Sequence, residues 1–356
     1  MSKKQAVWLL LLSLAAASST SCDRIESRII ARQAAKALNG DRNDLVDDQK
    51  LHVVLCGTGS PLADPQRASA CTAVLAGGHF FLVDAGPGAL REVALLRLPR
   101  ARLDGVLLTH FHSDHIGDLG EAVMQSWVAG RKAPLPIYGG PGVERVVNGF
   151  REAYALDTGY RIAHHGAEAM PSAGGLAEAK TVMLPAPDGS AVVFDADGLK
   201  VTAFAVDHLP VEPAYGYRFE FRGRSVVISG DTKKSDNLIR QARDVDLLVH
   251  EALAARMIEP VTDYALHNGL SRWAKLTSDI VKYHTTPVEA AEVAKSAHVR
   301  VLALTHIVPP LPNFVARRMF MRGVAQTWDG KIELGKDGMH FTLPPNDTSV
   351  AVDSLS

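Results

Sequence analysis

Three imidazoles and one carboxylate fall within six consecutive positions of the stretch Thr109-His110-Phe111-His112-Ser113-Asp114-His115. Imidazole mixed with carboxylate favours zinc, iron or manganese over calcium or magnesium. In extended backbone His110 and His112 point the same way, so both can serve one ion. Asp114 and His115 then turn toward a neighbouring point as a helix begins, which suits a second ion beside the first. Leu103 to Leu108 upstream reads as a short apolar strand, and Ile116 to Gly130 downstream as a helix. The donors therefore occupy a loop at the C-terminal end of a strand, where α/β sheets usually bind their ligands.

Later donors stand at the same kind of place. His208 follows the apolar run Val201 to Val206, Asp231 follows Val226 to Ser229 within Ser229-Gly230-Asp231-Thr232, and His306 follows Val301 to Thr305. With the opening loop these make five histidines and two aspartates. Two tetrahedral to five-coordinate zinc ions need about that many ligands plus water. Asp231 is the natural bridge, since a carboxylate can offer one oxygen to each ion.

The elements that must position these residues begin at Leu51. Leu51 to Cys56, Thr72 to Ala76 and Phe80 to Asp84 read as strands, the last two joined by a Gly77-Gly78 hairpin signal. Leu135 to Tyr138 is a strand leading through Gly139-Gly140-Pro141-Gly142 into a helix from Val143 to about Ala155. Residues 156–190 are predicted to be irregular, with His164 and His165 on the surface. A second block of strands covers 191–195, 199–206, 215–222, 225–229 and 244–250. Helices follow over 271–283 and 287–297, the second opened by Thr286 as N-cap and Pro287 at the first turn. A strand over 299–305, a helix over 314–328 and short strands at 331–334 and 339–342 close the domain. Strands alternating with strand–helix units predict an α/β fold of two packed sheets with helices outside. On this reading 23–50 is a lead-in segment, 51–343 the domain that carries the donors and 344–356 a disordered tail.

Composition is compatible with a full core: 356 residues, 47% hydrophobic and 22% charged, with a formal net charge of −1. Without a basic excess, the balance argues against nucleic acid as a partner. Residues 1–22 read as a signal peptide, with Lys3 and Lys4 ahead of the apolar Val7 to Ala17 and small residues from Ser18 to Ser21. Cys22 follows them as in a bacterial lipoprotein, with Ser19 where a branched apolar residue is usual. Export is expected, to the periplasm, the medium or a lipid anchor at Cys22, the anchor being the one expected membrane contact. Cys56 and Cys71 are read as buried thiols, although an oxidising compartment would permit a bridge.

Taken together these motifs resemble the metallo-β-lactamase superfamily, in the branch that holds ribonuclease Z and the zinc-dependent arylsulfatases. The matching stretches are Leu55 to Pro61, Val83 to Gly86, Thr109 to His115, Tyr138 to Gly142, His208 with Gly216-Tyr217-Arg218, Gly230-Asp231-Thr232, His250-Glu251-Ala252, His284 with Glu289-Ala290-Ala291, and Thr305-His306. The resemblance implies a four-layer αβ/βα sandwich with two zinc ions at one edge, manganese or iron being the other candidates. It assigns His110, His112 and His208 to one ion, Asp114, His115 and His306 to the other, and Asp231 to both. It makes His284 a proton donor outside the metal ligands, supported by His250 and Glu251, and Asp84 an orienting partner for a ligand histidine. Homodimers are common in the family.

The implied chemistry is hydrolysis of a sulfate or phosphate ester by a water that two close metal ions acidify, with Asp114 placed to orient it or take its proton and His284 protonating the leaving oxygen. The expected substrate is a small anionic ester. Ribonuclease Z grips transfer RNA with a long Gly/Pro-rich arm between the third-histidine motif and the bridging aspartate. Here one tight hairpin separates His208 from Asp231, which leaves no room for the arm. Transfer RNA processing is the alternative, with lactone or β-lactam hydrolysis also open and a non-enzymatic metal-binding scaffold last.

Overall fold

The computed structural model describes residues 26–35 and 40–355. The leader expected over 1–22 and its Cys22 lie outside the described residues. The chain divides into two compact units, Met1–Arg42 and Asn43–Ser356. The described part of the first contains a helix over 26–35.

The second unit holds two mixed sheets. Numbered along the chain, its strands begin with β1 (Leu51–Gly57), β2 (Cys71–Ala76), β3 (His79–Val83), β4 (Leu103–Leu107), β5 (Leu135–Gly139) and β6 (Ala177–Thr181). Next come β7 (Ser190–Ala196), β8 (Leu199–Ala205), β9 (Tyr215–Phe221), β10 (Arg224–Ile228), β11 (Leu247–Leu253), β12 (Val301–Val308) and β13 (Lys331–Leu334). The last two, β14 (Met339–Leu343) and β15 (Ala351–Ser354), return to the first sheet. The orders are β15-β14-β1-β2-β3-β4-β5-β6 and β13-β12-β11-β10-β9-β8-β7.

Side chains alternate across each strand, and the apolar residues divide accordingly. Leu51, Val53 and Leu55 of β1 pack between the sheets with Phe81, Tyr217, Phe219 and Phe341. Val54 and Cys56 face the other way, under the helices Ala89–Leu95 and Leu119–Ala129. On the second sheet, Val227, Leu248 and Leu302 face a third core closed by the helix Pro287–Ser296. That helix starts as expected: Thr286 caps it, Pro287 opens it, and Glu289 completes a reciprocal capping box.

Several expectations are corrected. The helix from Val143 continues to Ala169, with Gly166 alone leaving helical backbone. β6 follows it, so 156–190 is largely regular. A helix over Ala255–His267 precedes Ser271–Ile280. The segment after Pro344 contains β15, paired antiparallel to β14 from Met339↔Ser354 to Thr342↔Ala351. Leu45 and Val46 are core residues, so the packed domain begins ahead of Leu51. Cys56 and Cys71 are joined as a disulfide, their Cα atoms 5.0 Å apart. The pairing of β1 with β2 skips Cys56, making it the extra residue of a bulge that turns its sulfur toward Cys71.

Candidate metal centre

The opening loop follows β4 of the first sheet. His208 follows β8, Asp231 follows β10 and His306 lies in β12, all on the second sheet. His306 stands in its strand by way of a bulge. Glu251 pairs with Thr305 and Ala252 with Ile307, so His306 is skipped by the ladder and takes φ +46°. The bulge re-aims its ring out of the pleat and into the cluster.

All seven side chains converge. Donor atoms of His110, His112, His208 and Asp231 lie within 4.8 Å of one another, as do those of Asp114, His115 and His306. Asp231 Oδ2 sits among four imidazoles: 3.9 Å from Nε2 of His110, 3.4 Å from that of His115, 3.9 Å from that of His208 and 3.4 Å from that of His306. His112 joins through Nδ1, 2.9 Å from His110 Nε2. Asp114 Oδ2 is 3.1 Å from His306 Nε2 and 3.5 Å from His115 Nε2.

Asp231 is delivered by a tight turn. Gly230 has φ +62°, and a Cβ there would come within 2.6 Å of the Tyr215 carbonyl oxygen. Glycine is the residue that meets both demands. At the opening loop, a Cβ on Gly86 would overlap the Asp114 carbonyl.

The nitrogens turned away from the cluster are held. Asp84, at φ +63° just after β3, accepts the His115 ring N–H at 2.8 Å, and also the backbone N–H and hydroxyl of Thr109, each at 2.8 Å. His208 Nδ1 donates to the Tyr283 carbonyl at 2.9 Å. Such contacts fix which nitrogen faces a metal.

The electrostatics suit cations. Burial, reinforced by the neighbouring imidazoles, holds His110 well below its ordinary value. Burial also lowers His112 and His208. Burial pushes the Asp231 carboxyl up, but the imidazoles of His306 and His115 outweigh it and hold the group well below the usual carboxylate range. Among the described residues, buried ligand atoms are left without hydrogen-bond partners, including His115 Nε2, His208 Nε2 and Asp231 Oδ1. Orphaned lone pairs of this kind, converging in a buried cluster, fit divalent metal ions.

Beside the cluster stands a pair that titrates differently. His284 Nδ1 is 2.9 Å from Glu251 Oε1, and the same oxygen accepts the backbone N–H of Thr285 at 3.1 Å and of Thr232 at 3.2 Å. Burial lowers the His284 imidazole, but the Glu251 carboxylate prevails and raises it to about 9. The ring stacks on His306 with centroids 5.5 Å apart. His250, expected to act with Glu251, is fully buried with Nδ1 against the Glu251 carbonyl oxygen, and does not reach His284. Tyr283 was not expected at the site. Its ring lies 5.2 Å from that of His208, and only its adjacency to His284 marked it in sequence.

Two facing sheets between helical layers, with a His/Asp cluster at the edge they share, define a metallo-β-lactamase-type sandwich. The chain belongs to the β-lactamase superfamily: the superfamily domain matches residues 79–307. It is 38% identical over 291 residues to a protein named ribonuclease Z from Mycobacterium bovis, covering 81% of this chain and 96% of that one. A ribonuclease Z from Mycobacterium marinum matches at 38% over the same shares. Among solved structures, the short form of human tRNase Z superposes with a TM-score of 0.59 at 22% identity, covering 82% of this chain and 99% of that one. A metallo-β-lactamase fold protein from Bacillus subtilis gives 0.58 at 20%, covering 83% and 100%. The chain is thus a metal-dependent hydrolase of ester bonds.

Proposed function

We propose that the chain hydrolyses phosphodiester bonds, with His110, His112 and His208 on one zinc ion, Asp114, His115 and His306 on a second, and Asp231 shared. Bound as a pair, the ions would acidify a water near neutral pH and offset charge on the phosphoryl oxygens. Asp114, buried within the second set, is placed to orient that water. His284 is the proton donor to the departing oxygen, and Glu251 keeps it charged and fixes its tautomer. This His284–Glu251 pair beside the metal ligands carries the reading, since a departing alkoxide is what needs a proton. The relatives named ribonuclease Z support the same bond type and favour RNA as the polymer cleaved.

A second reading, a compact phosphate or sulfate ester, is favoured by the rim. Only β9 and β10 stand between His208 and Asp231, with no projecting arm to grip a folded RNA. The Cys56–Cys71 disulfide fits an exported enzyme, as would the leader expected over 1–22, and such an enzyme would not meet precursor transfer RNA.

The test is a substrate panel: precursor transfer RNA, a bis-aryl phosphodiester, an aryl sulfate and a lactone, each with zinc-loaded protein and with chelator. Chelator-sensitive cleavage of diesters, lost in Asp231→Ala, is the expected result. Turnover of the sulfate or lactone with no diester cleavage would overturn the proposal.

A further inference from the structure

Between Glu251 and His284 the chain leaves the sheet as a helical hairpin, Ala255–His267 and Ser271–Ile280. Its base is anchored: Ile258 packs with Leu253 and Val308, and Ile280 and Val281 close over them. The Thr262 and Thr277 hydroxyls join the two helices at 2.7 Å. The hairpin's outer face is apolar and, among the described residues, exposed. Val261, Tyr264, Leu270, Trp273 and Leu276 are all exposed, Trp273 at 60%. Nothing in the metal centre uses these side chains.

A second exposed apolar group adjoins it. The helix Phe314–Phe320 follows the strand of His306 and presents Phe314 at 74% exposure, with Val315 and Met319 beside it. Met257 of the hairpin and Ala316 and Met321 of this segment settle into the same core. Arg256 reaches to 3.8 Å from where a Gly323 Cβ would stand. The two patches therefore flank one edge, the edge that carries His284 and His306.

Cations are in excess there, most clearly on the second patch, since on the hairpin Lys275 and Lys282 both pair with Asp279. Residues 255–282 and 313–326 hold seven Lys and Arg against three Asp and Glu, in a chain with 38 against 39 overall. Three of the seven, Arg317, Arg318 and Arg322, lie on a stretch without acidic residues.

We propose that this edge docks on an anionic lipid surface. Amphipathic helices with aromatic and aliphatic residues on one face and cations around it bind the headgroup boundary in this manner. Trp and Tyr favour the polar–apolar boundary and the aliphatic side chains the acyl region. RNA would engage the arginines and stack on the aromatic rings, but would leave Val261, Leu270 and Leu276 in water. A second copy related by a two-fold axis would present the same arginine cluster from both sides. A lipid surface satisfies the apolar and the cationic features together. Docking would bring the mouth of the metal centre to the membrane. The inference does not depend on which ester the centre cleaves.

Hydrogen–deuterium exchange on the full chain locates the contact and separates it from any contribution of residues 1–25. With phosphatidylglycerol vesicles, amides over 258–276 and 314–322 should gain protection, and with phosphatidylcholine vesicles they should not. Trp273→Ser combined with Leu276→Ser, and separately Arg317→Glu combined with Arg318→Glu, should each weaken vesicle partitioning at least tenfold. Turnover of a soluble bis-aryl phosphodiester, or of whichever soluble ester proves active, should be unchanged, which also shows that the variants fold. Protection confined to the N-terminal segment overturns the proposal. So does protection of the two patches by single-stranded RNA or by raised protein concentration, without a response to vesicles.

Discussion

Replacing Asp84 by asparagine removes one charge and exchanges one acceptor for a donor, at a position whose backbone tolerates the change. Asp84 sits at φ +63°, a region that asparagine enters more readily than most residues. Its carboxylate accepts three hydrogen bonds of 2.8 Å, from the Thr109 N–H, the Thr109 hydroxyl and His115 Nδ1. An amide can keep its oxygen on the Thr109 N–H only by turning its NH2 toward His115. If it rotates to accept from His115, the NH2 faces the Thr109 N–H instead. Either arrangement buries an unpaired donor, at a cost of about 1–3 kcal/mol. The imidazole can escape by moving its proton to Nε2, the nitrogen 3.4 Å from Asp231 Oδ2 that the second ion needs. Metal affinity at the Asp114–His115–His306 position should therefore fall about 10–100-fold, or roughly 1.4–2.7 kcal/mol. The first position should hold its ion. A competitive zinc titration against a chromophoric chelator reads both steps. Two unchanged binding steps in Asp84→Asn would refute the claim that this carboxylate sets the His115 tautomer.

Glu251→Gln takes away the charge that raises His284 to about 9. A donor must be protonated to act, so its activity is lost as pH rises through its pKa. The variant should move the basic limb of kcat/KM to lower pH, and an unmoved limb would show that His284 is not the acid. Gly230→Ala must fit a Cβ within 2.6 Å of the Tyr215 carbonyl at φ +62°. A loss of about 1–3 kcal/mol of stability is expected, together with weakened binding of both ions through the displaced Asp231. Thermal unfolding and zinc stoichiometry check the two effects separately.

The site was more legible than its surroundings. His110 to His115 could be read because the donors are local and the flanking strand and helix are strongly patterned. His208 and Asp231 were legible as donors at the ends of apolar runs. The strand before His306 is expected to end at Thr305 but runs on to Val308, since a bulge that carries β12 through His306 has no signature in composition. The helix running on through Leu156, Tyr160 and His164 was missed because few of its residues face a core. Its polar, Gly-containing sequence carries little periodicity. Pro260 similarly obscured the helix Ala255–His267. The pairing of β15 with β14 and the closure of Cys56 on Cys71 are set by other strands' positions, which no local pattern reports.

The donors are divided between the two sheets: His110, His112, Asp114 and His115 hang from the first, and His208, Asp231 and His306 from the second. Any ion held by both groups is a cross-link across the sandwich, made at an edge where the inter-sheet core gives way to polar side chains. Folding and metal loading then become linked equilibria. Free metal at 1,000 times its dissociation constant would add about 4 kcal/mol to the folded state. Metal supply would thus govern how long the protein survives as well as how fast it turns over.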